Sequence, residues 1–170
     1  ISRNEKIPVE RCAQLTQKTN QFNFTTKRYT ESQIKKMIDS IDWHIFSMEL
    51  SDKFGNYGTT GLVILKLKNK KAIINTFLLS CRILGRKVEE KLFQFLIEEL
   101  KNKGVESLYG EYNPSKKNSQ VSDFYEKMGM KYIKETSNLS KKNYELLIDN
   151  FSFKNNINIS LSSRFVLLIF

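Results

Sequence analysis

The stretch Leu78-Leu-Ser-Cys-Arg-Ile-Leu-Gly-Arg-Lys87 joins a strand-like run to a helix-like run and gathers residue types that can hold a phosphate. A glycine at a helix start lets backbone approach a ligand, and the free N–H groups of the first turn, with the helix dipole, favour an anion. Ser80, Cys81, Arg82, Gly85, Arg86 and Lys87 are therefore candidate ligand contacts, although an ordinary left-handed turn with solvated arginines accounts for the same residues. Further along, Asn118-x-x-Val121-x-x-Phe124-Tyr125-x-x-x-Gly129-Met130 offers an amide and a phenol at helical spacing. The Tyr125 hydroxyl can give a proton to a leaving group, and an aromatic core filler is the plainer use of the same side chain. Glu49, Asp52, Glu111 and Asp123 have the type of a general base, and surface carboxylates are the commoner explanation of each. Cys81 precedes a positive junction that would lower its thiol pKa, but a small buried residue is the favoured reading. His44 has no Cys or second His near it in sequence and reads as structural.

These residues need elements to hold them. The segment to about Asn23 has the apolar spacing of a short helix entering a turn, followed by an amide-rich run, Asn20-Gln-Phe-Asn23, then Thr25 and Thr26. That run reads as a hydrogen-bonded cap on the helix, with a substrate-orienting role for Asn20 or Asn23 left open. Thr30-Glu-Ser-Gln33 has the form of a capping box, and Ile34, Met37, Ile38 and Ile41 fall on one face of the helix it starts. Trp43 to Leu50, Gly61 to Lys68 and Ala72 to Cys81 read as strands of an antiparallel meander, parted by Gly55–Gly58 and Asn69–Lys71. Val88, Leu92, Phe95, Leu96 and Leu100 make the clearest helical stripe, closed by Gly104. Ser107 to Asn113 reads as a strand, Val121 to Met128 as a helix closed by Gly129, and Tyr132 to Glu135 and Tyr144 to Ile148 as final strands. The order describes an α/β (mixed α+β) domain, one mixed, largely antiparallel sheet flanked by helices over residues 1–150. The tail from Phe151 to Phe170 stays unassigned between edge strand, partner-seeking segment and disordered end.

With 170 residues the chain is long enough for one domain with its own core. The longest apolar run, Phe165 to Phe170, is far below the roughly 18 residues of a membrane span. Cys12 and Cys81 make no disulfide framework and no zinc spacing, and one histidine excludes most metal sites, so no metal is expected and a reducing cytoplasm is the simplest compartment. With Ile1 first and no signal-peptide pattern after it, the chain reads as a piece of a longer protein. Its formal charge of +10 is scattered over several elements, unlike the single basic face of a nucleic-acid binder, which argues against nucleic acid as the partner. Lys116 and Lys117, in the loop before Asn118, would attract an anionic partner.

Taken together, Arg82-x-x-Gly85 between strand and helix, then a strand, then Asn118-x-x-Val-x-x-Phe-Tyr125-x-x-x-Gly-Met resembles motifs A and B of the GNAT acyltransferase superfamily. More narrowly, Gln17-Lys-Thr-Asn-Gln-Phe-Asn-Phe-Thr-Thr26, Asp52-Lys-Phe-Gly-Asn-Tyr-Gly58, Asn75-Thr-Phe-Leu-Leu-Ser-Cys-Arg82 and Gly110-Glu-Tyr112 resemble the carboxy-terminal half of FkbH-like proteins, over roughly residues 10 to 150. In those proteins a HAD-like domain precedes a GNAT-like one. The resemblance implies polyketide-type biosynthesis, with a three-carbon glyceryl unit loaded on an acyl carrier protein. It further implies a phosphopantetheine arm, on CoA or a carrier, whose amides add to a splayed sheet edge and whose phosphate meets Gly85, Arg86 and Lys87. Tyr125 would be the acid, Glu111 the preferred base because its strand should open beside the thioester, and Asn118 a further ligand contact. Lys87 stands where GNAT motif A usually has Gly or Ala, a departure that suits one phosphate better than a pyrophosphate. A non-catalytic docking module beside the HAD-like domain is the alternative, and the apolar end makes a dimer a further expectation.

Overall fold

Three long runs with apolar residues on alternate positions, joined by tight turns, form the centre of the sheet. The computed structural model describes residues 1–3, 7–133, 141–152, 159–161 and 166–169. In chain order the elements are β1 (Ser2–Arg3), α1 (Val9–Lys18), β2 (Phe22–Asn23), α2 (Glu31–Ile38), β3 (Trp43–Asp52), β4 (Gly55–Lys68) and β5 (Lys71–Leu79). They continue with α3 (Val88–Asn102), β6 (Ser107–Tyr112), α4 (Phe124–Lys127), β7 (Lys131–Ile133), β8 (Lys142–Leu147), β9 (Ile159–Leu161) and β10 (Val166–Ile169). The strands line up as β7-β8-β6-β5-β4-β3-β10-β9, with β1 beside β3 and β2 beside β5. Among the described residues only β5–β6 and β3–β10 run parallel, so the sheet is mixed and largely antiparallel. A parallel pair needs a crossover, and α3 supplies it between β5 and β6.

Each face of the sheet is covered by its own helices. Val88, Leu92, Phe93, Leu96 and Leu100 of α3, with Phe124 and Tyr125 of α4, pack on the strand residues Phe46, Val63, Leu65 and Phe77. Cys12, Ala13 and Leu15 of α1 and Ile34 of α2 pack on Ile45, Leu62, Ile64 and Leu78 of the other face. Burial of Cys12 pushes its thiol up to about 12, so it behaves as a small apolar residue.

Several elements differ from the sequence reading. Gly55–Gly58 lies inside β4, and the turn is shorter, with the Asp52 carboxylate accepting the Phe54 N–H at 2.8 Å. The helix α2 stops at Ile38, leaving Ile41 beyond it and 92% exposed. The second-motif helix is one turn, α4, preceded by a separate 3-10 turn at Ser119–Val121. Glu135 lies outside the described residues. The tail supplies two strands, with β10 parallel to β3 and β9 antiparallel on β10.

Candidate functional site

The site begins with a bulge. Along β4 and β5, Ile64 faces Thr76 and Leu65 faces Ile74, so Asn75 is left over and β5 bends. Below the bend β5 pairs with β6 from Lys71–Ser107 to Ile74–Gly110; above it the two strands part. The V between them is not empty. Phe22 and Asn23 of β2 pair with Leu79 and Leu78. Phe24 continues the pairing, its N–H donating to the Phe77 carbonyl at 3.3 Å and its carbonyl accepting from the Asn113 N–H at 2.8 Å. The splayed edge expected to take a pantetheine arm therefore holds a segment of the chain itself.

Asn118 is the main anchor of that segment. It is fully buried, and its amide donates to the carbonyls of Asn23 and Asn113 at 2.9 Å each while its oxygen accepts from the Ser115 N–H and the Tyr112 hydroxyl. All its hydrogen-bonding capacity is used inside the chain, which leaves none for the ligand contact expected of it. The amide-rich run does cap α1, the Asn23 amide donating to the Thr19 carbonyl at 3.1 Å, and Arg28 adds bonds to the carbonyls of Thr16 and Thr19 and to the Asn20 side chain.

Tyr125 lies beneath β6 with 1% of its surface exposed, and its hydroxyl has no partner among the described residues. Gly110 makes room for it, since a Cβ there would sit 2.8 Å from the Tyr125 Cζ. Phe24 covers the other side of the ring at 4.4 Å between centroids. Burial, with the charges of Glu111 and Tyr144 adding to it, pushes this phenol well above its ordinary value, so it keeps its proton at neutral pH. Glu111 is adjacent in β6, but alternation turns it to the opposite face, where it accepts from Asn113 at 3.0 Å and pairs with Lys141 at 3.4 Å. Lys27 is close by; burial pushes its ammonium below the ordinary value, with Glu111 opposing and Lys141 reinforcing that shift. An acid and a base candidate thus stand on the two sides of the sheet at one point of the splay. Among the other carboxylates, Asp52 pairs with Arg86, Asp123 pairs with Lys127, and Glu49 lies on β3, two strands from β5.

The phosphate candidates divide. Arg86 turns to the β3–β4 turn, 2.6 Å from Asp52 and over the Tyr57 ring. Desolvation raises the Asp52 carboxyl, but the Phe54 N–H, Arg86 and Tyr57 outweigh it and hold the group below its ordinary range. At the start of α3, Gly85 and Lys87 take positive φ of 81° and 58°, and Glu89, half-buried with one oxygen unpartnered among the described residues, lies in the first turn. Burial raises the Glu89 carboxyl, and a carboxylate at that helix end competes with any phosphate for the same dipole. Ser80, Cys81 and Arg82 instead line a groove of about 860 Å³ at the mouth of the V. Lys116 and Lys117 lie across it, and Arg11 and Lys18 of α1 complete a set of five cations with no carboxylate in the lining. Arg11 and Lys18 were missed from the sequence, where the stripe Arg11–Gln14–Lys18 on one face of an amphipathic helix was the available signal. No three of the described His, Cys, Asp and Glu residues come together as a metal site. No helix among the described residues is long and apolar enough to cross a membrane.

A sheet that splays at a bulge beside a strand-to-helix junction, with helices on both faces, is the fold of the GNAT acyltransferases. The chain superposes on the ribosomal-protein-S18-alanine N-acetyltransferase of Escherichia coli with a TM-score of 0.62 and 16% identity, over 88% of this chain and 92% of that one. It is similarly close to Ard1 of Thermoplasma volcanium, with a TM-score of 0.60, 14% identity, and 82% and 90% of the two chains covered. The PaiA N-acetyltransferase of Thermoplasma acidophilum, solved with coenzyme A, gives 0.54 at 20% identity over 70% and 72%. No protein-family description matches the sequence, and no curated protein matches it in sequence.

Proposed function

We propose that this chain is an acyltransferase domain that takes its acyl group from a phosphopantetheine thioester, carried by CoA or by an acidic acyl carrier protein. The carrying observation is the five-cation, carboxylate-free groove at the mouth of the β5–β6 splay, in a fold shared with N-acetyltransferases. Arg82, Lys116 and Lys117 meet the phosphate there, together with Arg11 and Lys18 of α1. Glu111 takes the proton of the acceptor amine or hydroxyl as it attacks the thioester carbonyl. The carbon–sulfur bond then breaks, and Tyr125 supplies a proton to the departing thiolate. In the finer form of this reading the chain is the GNAT-like half of an FkbH-like protein in the cytoplasm, where a HAD-like domain begins the loading of a glyceryl unit on the carrier and this half holds the carrier's phosphopantetheine arm.

One observation favours a second reading, a non-catalytic module that docks the carrier beside the HAD-like domain: Phe22–Thr25 fills the splay and Phe24 covers Tyr125. Titrating acetyl-CoA and an acetylated carrier protein into the wild-type chain, and following free thiol in the same samples after small primary amines and alcohols are added as acyl acceptors, separates the two. Reversing charge with Lys116→Glu and Lys117→Glu together is expected to weaken binding at least about tenfold at low salt, with binding falling steeply as salt rises. Tyr125→Phe is expected to bind normally and to release thiol more slowly by about a hundredfold. Binding with no thiol release in the wild type leaves the docking module.

A further inference from the structure

We infer that Phe22–Thr25 is a resident strand standing in the seat of the pantetheine arm, and that a thioester is bound only when this strand withdraws; the inference rests on the acyl-transfer reading above. The registers place the strand unambiguously. Leu79, Leu78 and Phe77 pair with Gly61, Leu62 and Val63 on the β4 side, so Phe22 and Asn23 occupy the edge that faces β6. A pantetheine arm would use that edge as an added peptide strand does, through main-chain hydrogen bonds. Here peptide groups already make them, and through Phe24 and Asn113 they close the V from both sides. Phe24 also covers the Tyr125 ring, 4.4 Å between centroids.

The strand is held by contacts that can be exchanged. The Thr25 hydroxyl donates to the carbonyl of the bulge residue Asn75 at 2.8 Å, and the Asn113 amide donates to the Thr25 carbonyl at 3.2 Å. The next residue, Thr26, has φ of 54°, a left-handed conformation that is strained for a β-branched side chain. Withdrawal relieves that strain, and the unpartnered Tyr125 hydroxyl gains access to the groove lined by Ser80 and Arg82. If the competent state is a minor one, the apparent affinity falls by its population.

The test uses acetyl-CoA with the whole chain, combining calorimetry with hydrogen exchange over the Phe22–Thr25 amides and a thermal melt to verify folding. Thr25→Ala removes the Asn75 anchor and is expected to bind about three- to tenfold more tightly than wild type. Thr26→Gly relaxes the strained turn with the strand in place and is expected to bind about threefold more weakly. The Phe24 amide should lose protection when acetyl-CoA is added. Wild-type binding with unchanged Phe24 protection, and with both variants at wild-type affinity, overturns the resident strand and leaves acyl transfer standing. Binding of neither acetyl-CoA nor an acetylated carrier protein by any of the folded chains overturns the acyl-transfer reading and this inference with it.

Discussion

At the residue scale the pair that organises the site is Gly110 and Tyr125. Residue type and a strand expected to open beside the thioester put Glu111 in the sequence reading, but they did not reveal that its neighbour must be glycine, because the reason is an aromatic ring brought in from α4. Adding a methyl group there places carbon 2.8 Å from Cζ and 3.2 Å from the hydroxyl of Tyr125, in a core with no room to yield. Gly110→Ala should therefore cost about 1–3 kcal/mol in urea unfolding, with the m-value unchanged. Combining it with Tyr125→Phe should recover little, since the close contacts include ring carbons; a full recovery would show that the hydroxyl alone is crowded. Arg86 shows the limit of reading residues by type. Its placement beside Gly85 suggested a phosphate ligand, and the tertiary contact with Asp52 and Tyr57 engages it elsewhere.

Helices and strands with strong local signals were legible as elements. The capping box is formed as written: the Thr30 hydroxyl accepts the Gln33 N–H at 3.3 Å, and the Gln33 side chain accepts the Thr30 N–H at 2.8 Å. Because α2 has eight residues and buries only Ile34, it depends on that cap more than a longer helix would. Thr30→Ala should cost about 1 kcal/mol, measured by chemical denaturation, and Thr30→Ser should restore most of it. Weak local signals failed where a tertiary partner decides. The strand β2 has two residues and no pattern of its own, and it exists because the edge of β5 above Asn75 is open to it. The second-motif helix is short for a related reason: Asn118 turns inward to hold Asn23 and Asn113, so the chain takes a separate turn before α4 starts.

For the whole molecule, the two apolar clusters lie on opposite faces but share β3, β4 and β5, whose side chains point alternately into each. Neither cluster can be lost while the other keeps its strands, so thermal unfolding followed by aromatic circular dichroism and by peptide circular dichroism should give one coincident transition. Two separated transitions would mean that the α1–α2 face melts on its own. The sequence by itself determined the order of most elements, the meander of β3 to β5, the crossover helix and its buried stripe, and thus the fold class, because periodicity and turn chemistry are local properties of the chain. Only the tertiary structure decided what fills the splay, which cations share the groove, and which of the motif residues are free to meet a ligand. Those depend on contacts between residues far apart in sequence, as between Asn23 and Asn118 or Asp52 and Arg86, and no local pattern encodes which partner an amide or a guanidinium will find.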